Sequence, residues 1–177
     1  MKYIHLVIMV LAFVLCSCNN NDEPKNEINL PIIDSYLPMT VAVDIDDSES
    51  REIFRKWTDK DIVVNSLSEL PDDPFGSSEA FKNINFDDYT LLITYNVHFW
   101  TIDTYRCRYF IDMEGAYNWA ICIKSSDINV DVDNIKQLYF TRHAIVVQKL
   151  PPDKDVSIWY SVGSIGWDWG MRNSRRG

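Results

Sequence analysis

From Tyr89 onward the sequence consists mostly of stretches that are typical of β-strands, and this feature constrains the fold more than any other. Each stretch is rich in β-branched and aromatic residues and is followed by turn-forming residues. The predicted strands are residues 89–97, 101–112, 117–124, 128–132, 143–150 and 156–162. Because consecutive strands joined by tight turns pair antiparallel, we expect an antiparallel sheet, either in a sandwich or curled around a helix.

The N-terminal third of the sequence adds helical segments. Residues 48–57 are predicted to form a helix, because Ser48 can cap its start and Phe54 and Trp57 lie near one another on one helical face. The other elements predicted before Tyr89 are strands at 40–45 and 62–65 and a short helix at 78–84. The predicted fold class is therefore mainly β, bordering on α+β, with one or two short helices in the N-terminal third.

The N-terminus has the layout of a secretory signal. Lys2 precedes an unbroken apolar run of ten residues at 6–15. As a helix this run would rise only about 15 Å, half of the roughly 30 Å hydrocarbon core of a bilayer, so it is too short to span a membrane. A basic start, a short apolar run and small residues behind it are typical of a signal peptide that is removed.

Residues Leu15-Cys16-Ser17-Cys18 resemble the lipobox of bacterial lipoproteins, in which a leucine, a variable residue and a small residue precede the lipidated cysteine. The resemblance implies that residues 1–17 are cleaved and that Cys18 carries a diacylglycerol thioether with acyl chains such as palmitate. Two acyl chains are sufficient for stable membrane anchoring. The alternative is an ordinary cleaved signal that leaves Cys18 as a free thiol.

Residues 18–38 are predicted to be a polar tether, since the segment that follows Cys18 is too polar to pack and prolines interrupt it as far as Pro38. The run Asn-Asn-Asn-Asp-Glu directly behind Cys18 also resembles the acidic export tag of surface lipoproteins in Bacteroidetes-type bacteria. This resemblance implies attachment to the outer membrane, with the cell surface favoured over the periplasmic face.

The rest of the sequence is sufficient for one folded domain. Residues 39–170 are predicted to form a single β-rich domain, because 46% of the chain is hydrophobic, and residues 171–177 are predicted to be a frayed basic tail. The formal net charge of −9 argues against nucleic acid as a partner, because phosphate neutralisation by Lys and Arg dominates such binding.

Cys107 and Cys122 flank a predicted hairpin turn at residues 112–117. A turn centred between Glu114 and Gly115 would place the two cysteines opposite each other on adjacent strands. The cell envelope is an oxidising compartment, so this register predicts a disulfide. The alternative is two buried thiols that act as small hydrophobic side chains.

Two stretches, NFDDYTLLITYNV at 85–97 and AIVVQKLPPDKDVSIWYSV at 144–162, resemble a pattern of small Bacteroidetes-type lipoproteins of unknown function. The pattern is also remotely similar to the C-terminal domain of PrcB, a subunit that stabilises a protease complex. The matching residues are Phe86, Asp87, Tyr89, Leu91, Leu92, Val146, Val147, Lys149, Leu150 and Pro151. Where the PrcB-like pattern has Gly-Gly-Tyr, this chain has Asp103-Thr104-Tyr105, so the resemblance implies the fold and the location rather than the protease-complex role.

The sequence contains no recognisable catalytic or metal-binding motif. The acidic stretch at 127–133 has Val132 and Leu138 where a calcium loop needs glycine and glutamate. His98 and His143 are the only histidines after the signal, and zinc-ligand spacing and Gly-x-Ser-x-Gly are absent. We therefore expect a protein that is not an enzyme and that needs no cofactor or metal.

Tryptophans form the best candidate for a ligand platform, because their rings can stack on sugars or anchor a protein interface. The candidates are Trp100, Trp159, Trp167 and Trp169. The alternative is that these rings pack in the core. The predicted function is a non-catalytic, lipid-anchored interaction module that binds another envelope protein, with glycan or small-ligand binding through the tryptophans as the alternative.

Overall fold

The computed structural model of the chain describes residues 27–126 and 137–163. Within these ranges, no helix combines the length and the hydrophobicity needed to cross a membrane. Several predictions fall outside the described residues. They are the signal peptide 1–17, the lipidated Cys18, the first part of the tether, the strand at 128–132, Trp167, Trp169 and the basic tail 171–177.

Eight strands and two short helices make up the described part of the chain. The strands are β1 (Ile28–Leu30), β2 (Ile32–Asp44), β3 (Asp61–Val64), β4 (Tyr89–His98), β5 (Thr104–Ile111), β6 (Tyr117–Lys124), β7 (Gln137–Gln148) and β8 (Val156–Gly163). The helices are α1 (Ser48–Arg55) and α2 (Ser77–Ala80), with a 3-10 turn at Leu67–Glu69. The predicted mainly β class is confirmed; α1 lies in the N-terminal third, whereas α2 lies in the middle third.

The strands form two four-stranded sheets that pack as a sandwich. Sheet 1 has the order β1-β5-β6-β8, and sheet 2 has the order β2-β7-β4-β3. All neighbours are antiparallel except β6 and β8, which are parallel. The expectation that consecutive strands pair through tight turns holds for β5 and β6, but β7 and β8 belong to different sheets, and residues 149–155 carry the chain from one sheet to the other.

Apolar side chains fill two layers, one on each side of sheet 2. Between the sheets, the buried residues include Leu92, Trp119, Ile121, Ile145 and Val147. On the other face of sheet 2, Phe54 of α1 and Phe75 and Phe81 of the 70–86 segment cover the strands. The central strands β4 and β7 are therefore buried on both faces, which explains their continuous apolar runs Leu91–Ile93 and Ala144–Val147.

The folded domain begins earlier than predicted. The tether was expected to extend to residue 38, but Ile28–Leu30 pairs with β5, and Ile32–Asp44 pairs with β7. The prolines suggested a linker, yet Pro31 lies between β1 and β2, and Pro38 lies where the register of the edge strand β2 is irregular. A proline is tolerated at such positions because no ladder hydrogen bond requires its missing N–H.

The hairpin of β5 and β6 corrects the predicted register by one residue. Ile111 pairs with Tyr117, so the turn is centred on Glu114, and Gly115 adopts a positive φ of 81°. Cys107 consequently lies opposite Ile121 rather than Cys122. A shift of one residue turns a side chain to the other face of a sheet, so the two cysteines face opposite ways and remain free thiols instead of the expected disulfide.

A buried polar network fixes the 70–86 segment against sheet 2. The carboxylate of Asp73 accepts hydrogen bonds from the hydroxyl of Tyr95, from Ser77 Oγ at 2.5 Å and from the main-chain nitrogen of Ser77 at 2.9 Å. Arg142 of β7 donates to Ser77 Oγ at 2.8 Å, and its guanidinium lies 4.7 Å from the ring of Phe81. Asp73 and Arg142 are both buried, so each charge depends on this network.

We expect Asp73→Asn to lower the free energy of unfolding by about 3 kcal/mol, because it leaves the buried Arg142 without a nearby carboxylate. Urea unfolding followed by circular dichroism measures the change. The matched control is Asp72→Asn, since Asp72 is exposed and adjacent. A similar loss in both variants would show that the network does not carry this stability.

Candidate functional site

Trp159 is the member of the predicted platform that is best placed to meet a ligand. It lies on β8 opposite Ala120 of β6, on the face of sheet 1 that points away from sheet 2. Its indole N–H donates to Asn118 Oδ1 at 2.8 Å, and 39% of the residue is exposed. The ring is therefore held in position while part of its surface remains open to solvent.

Trp100 lies elsewhere. It follows β4 and stacks on His98, with 5.4 Å between the ring centroids, and its carbonyl oxygen lies 2.5 Å from His98 Nδ1. His98 in turn packs between the rings of Trp100 and Tyr139. The structure thus separates Trp100 from Trp159. Trp167 and Trp169 lie outside the described residues, so their part in a platform stays a prediction.

His143 is the most deeply buried titratable group between the sheets. Its ring packs against Tyr105 and Tyr160, and neither ring nitrogen has a hydrogen-bond partner within the described residues. Burial, with a smaller contribution from nearby His98, lowers the pKa of His143 to about 3. With only 2% of the residue exposed, His143 cannot reach a substrate and serves as a neutral core residue.

Hydrogen bonds link the side chains of Asp61, Thr94 and Tyr160 near His143. Thr94 Oγ1 donates to Asp61 Oδ1 at 2.5 Å and lies 2.8 Å from the hydroxyl oxygen of Tyr160. Burial raises the pKa of both Asp61 and Tyr160. These hydrogen bonds tie β4 to β3 and β8, and each of them satisfies a polar group of the interior.

Lys149 borders a shallow cleft with a volume of about 440 Å³. Its ammonium group donates to the carbonyl oxygens of Asn65 at 2.7 Å and Phe86 at 2.6 Å. The lysine of the lipoprotein-like pattern therefore holds together the end of β7, the residue after β3 and the segment before β4. The sequence marked this lysine as part of a pattern but gave no sign of its two main-chain partners.

Residues 28–39, which we call the N-terminal edge, expose a group of large apolar side chains. β1 and β2 are the outermost strands of their sheets on the same side of the sandwich. Half of the large apolar residues found exposed in the described chain lie on this edge: Ile28, Ile33, Leu37 and Met39. Ile33 and Leu37 occur where β2 carries an extra residue relative to β7, and Leu37 is 80% exposed. A bulge turns such side chains away from the sheet.

Within residues 27–126 and 137–163, no three His, Cys, Asp or Glu side chains are grouped so that they could hold a metal ion. The two described cysteines are not activated nucleophiles either. Burial raises the pKa of Cys107, and it raises that of Cys122 to about 11. The thiolate, which is the reactive form, is therefore disfavoured at both positions.

No protein-family model, curated protein or solved structure matches this chain. The lipoprotein and PrcB-like resemblances therefore stay predictions.

We expect the free energy of unfolding to fall as the pH drops from about 6.5 toward 3, because the unfolded chain binds a proton at His143 that the folded protein does not. His143→Leu should flatten this dependence, since leucine does not titrate. Urea unfolding of both proteins at pH 7, 6 and 5 measures it. An unchanged slope in the variant would contradict the assignment.

Proposed function

We propose that this chain is a lipid-anchored protein of the bacterial outer membrane whose β-sandwich binds another envelope protein and performs no catalysis. The observation that carries the interaction is the N-terminal edge, with its exposed Ile33 and Leu37. The anchor is supported by Leu15-Cys16-Ser17-Cys18, and the acidic run behind Cys18 supports the cell surface over the periplasmic face.

The proposed anchor and the N-terminal edge lie close together along the chain. Ile28 follows Cys18 by ten residues, which span at most about 36 Å when fully extended. The edge would therefore lie within a short distance of the bilayer that holds the lipid. A partner resident in the same membrane would meet this edge without crossing a long linker.

The geometry of β2 favours a partner that packs against side chains over one that adds a strand. The two irregularities of β2 and the intervening Pro38 interrupt the regular row of main-chain groups that a new strand would pair with. The same irregularities present Ile33 and Leu37 to solvent. Burying one such side chain in an interface contributes about 1.5–3 kcal/mol, so a few of them are sufficient to anchor a contact.

We expect Cys18→Ser to abolish incorporation of radiolabelled palmitate and to move the protein from the membrane fraction to the soluble fraction, because the serine hydroxyl cannot form the thioether. The matched control is Cys16→Ser, which should keep both the label and the membrane location. Labelling that persists in the Cys18 variant, or that disappears equally in both, would contradict the anchor.

We expect a photoreactive amino acid at position 37 to form a discrete cross-linked product in intact cells, because Leu37 would face the partner. The control places the same group at Met113, which is also highly exposed but lies in the β5–β6 turn. Leu37→Asp should remove the product formed from a group at position 33. Identical products from positions 37 and 113, or none from 37, would contradict an interface at this edge.

A further inference from the structure

The outer face of sheet 1, meaning the face turned away from sheet 2, carries three cationic side chains, one of which is paired with a carboxylate. Tyr105, Tyr109 and Ile121 point into the sandwich, so the alternation of β-strands turns Arg106, Arg108 and Lys124 outward. None of the four strands of sheet 1 contains an aspartate or glutamate. A chain with a formal net charge of −9 therefore presents one sheet face on which every charged strand residue is a cation.

An aromatic ring lies beside these cations. Arg108, Ala120 and Trp159 occupy one row across three adjacent strands. Neighbouring strands are about 4.8 Å apart, so the arginine and the tryptophan stand roughly 10 Å apart on either side of a small alanine. Arg106 of β5 and Lys124 of β6 lie farther along the same face, in the next two rows of outward-facing residues.

Hydrogen bonds hold two of these side chains in place. Arg108 Nη2 donates to Glu27 Oε2 at 2.9 Å and to Asn29 Oδ1 at 2.8 Å, and its guanidinium lies 5.1 Å from the ring of Phe110. Trp159 is held by Asn118, whose amide nitrogen donates to Asp112 Oδ2 at 3.0 Å. Because these rotamers are fixed without a ligand, binding costs less conformational entropy.

We propose that the outer face of sheet 1 binds an acidic polysaccharide. A sugar ring stacks on the exposed side of Trp159, and carboxylate or sulfate groups along the polymer pair with Arg106 and Lys124, whereas Arg108 stays paired with Glu27. The inference goes beyond the proposed function, because it uses neither the N-terminal edge nor a protein partner.

The sparse positive charge favours a polysaccharide over other polyanions. Duplex nucleic acid carries one charge for roughly every 1.7 Å of its axis, and three cations on an acidic protein cannot match that density. An anionic phospholipid bilayer has no ring for Trp159 to stack on. A uronate or sulfated glycan supplies both widely spaced anions and sugar faces.

The test is titration of the full-length protein, kept in a non-ionic detergent, with polygalacturonate and with chondroitin sulfate, with neutral dextran as the comparison. We expect saturable calorimetric binding to at least one acidic polymer, weakened by added salt, and none to dextran. Arg106→Gln/Lys124→Gln should weaken the affinity about tenfold or more, because two charge-assisted contacts are lost.

The matched control for charge is Arg51→Gln/Lys56→Gln, which removes two cations from α1 and the residue after it, on the far side of sheet 2. This control should bind within about twofold of the natural sequence, because its cations lie beyond contact with the polymer. Trp159→Ala should weaken binding about tenfold, while Trp159→Phe keeps a ring and much of the affinity. Thermal unfolding verifies that each variant is folded.

Four results would overturn the proposal. The folded natural protein could fail to bind both acidic polymers, or it could bind dextran equally well. The α1 control could lose as much affinity as the sheet 1 variant. Finally, binding could be confined to phosphatidylglycerol vesicles, which would assign the face to a membrane surface instead.

Discussion

The pairing of β4 with β7 is the contact on which the remaining structure depends. Ten residues of each strand lie in register, from Tyr89 opposite Gln148 to His98 opposite Tyr139. Sheet 1 covers one face of this pair, and α1 with the 70–86 segment covers the other. Because both faces are buried, several polar groups on the two strands find their hydrogen-bond partners in neighbouring segments. Thr90 bonds Asn65 and the main chain of Leu150, and Arg142 bonds Ser77 and Phe75, so polar groups of the central strands position the segments around them.

The sequence predicted best those elements whose signals are local. The predicted strand at 117–124 coincides with β6, and that at 89–97 is one residue shorter than β4, since apolar alternation and turn residues mark these strands clearly. The start of β7 and the strands before residue 40 were missed. The strands before residue 40 were missed because Pro31 and Pro38 suggested a linker. In the structure, Pro31 lies where the chain passes from sheet 1 to sheet 2, and Pro38 lies at a bulge of β2.

The division of strands between two sheets could not be predicted, because it depends on contacts between distant residues. The parallel pairing of β6 with β8 joins strands with β7 between them in the chain. Whether Cys107 pairs with Cys122 or with its neighbour depends on whether the hairpin turn contains an even or an odd number of residues. Gly115, with its positive φ, permits a turn with an odd number. The same dependence on register hid the row of Arg108, Ala120 and Trp159. In the sequence, the cations of this face, Arg106, Arg108 and Lys124, are a minority within an acidic chain, and only the alternation of paired strands places them on the same side of sheet 1 as Trp159.

The N-terminal edge and the outer face of sheet 1 are two surfaces that meet at β1. Glu27, the residue before β1, pairs with Arg108 at 2.9 Å, and both side chains are partly buried. The segment that leads from Cys18 thus enters the domain through an ion pair with a residue of the outer face. A partly buried pair resists separation more than an exposed one, because its charges are less screened by solvent. If the proposed lipid anchors Cys18, this ion pair fastens the chain to the domain at Glu27, nine residues after the point of attachment.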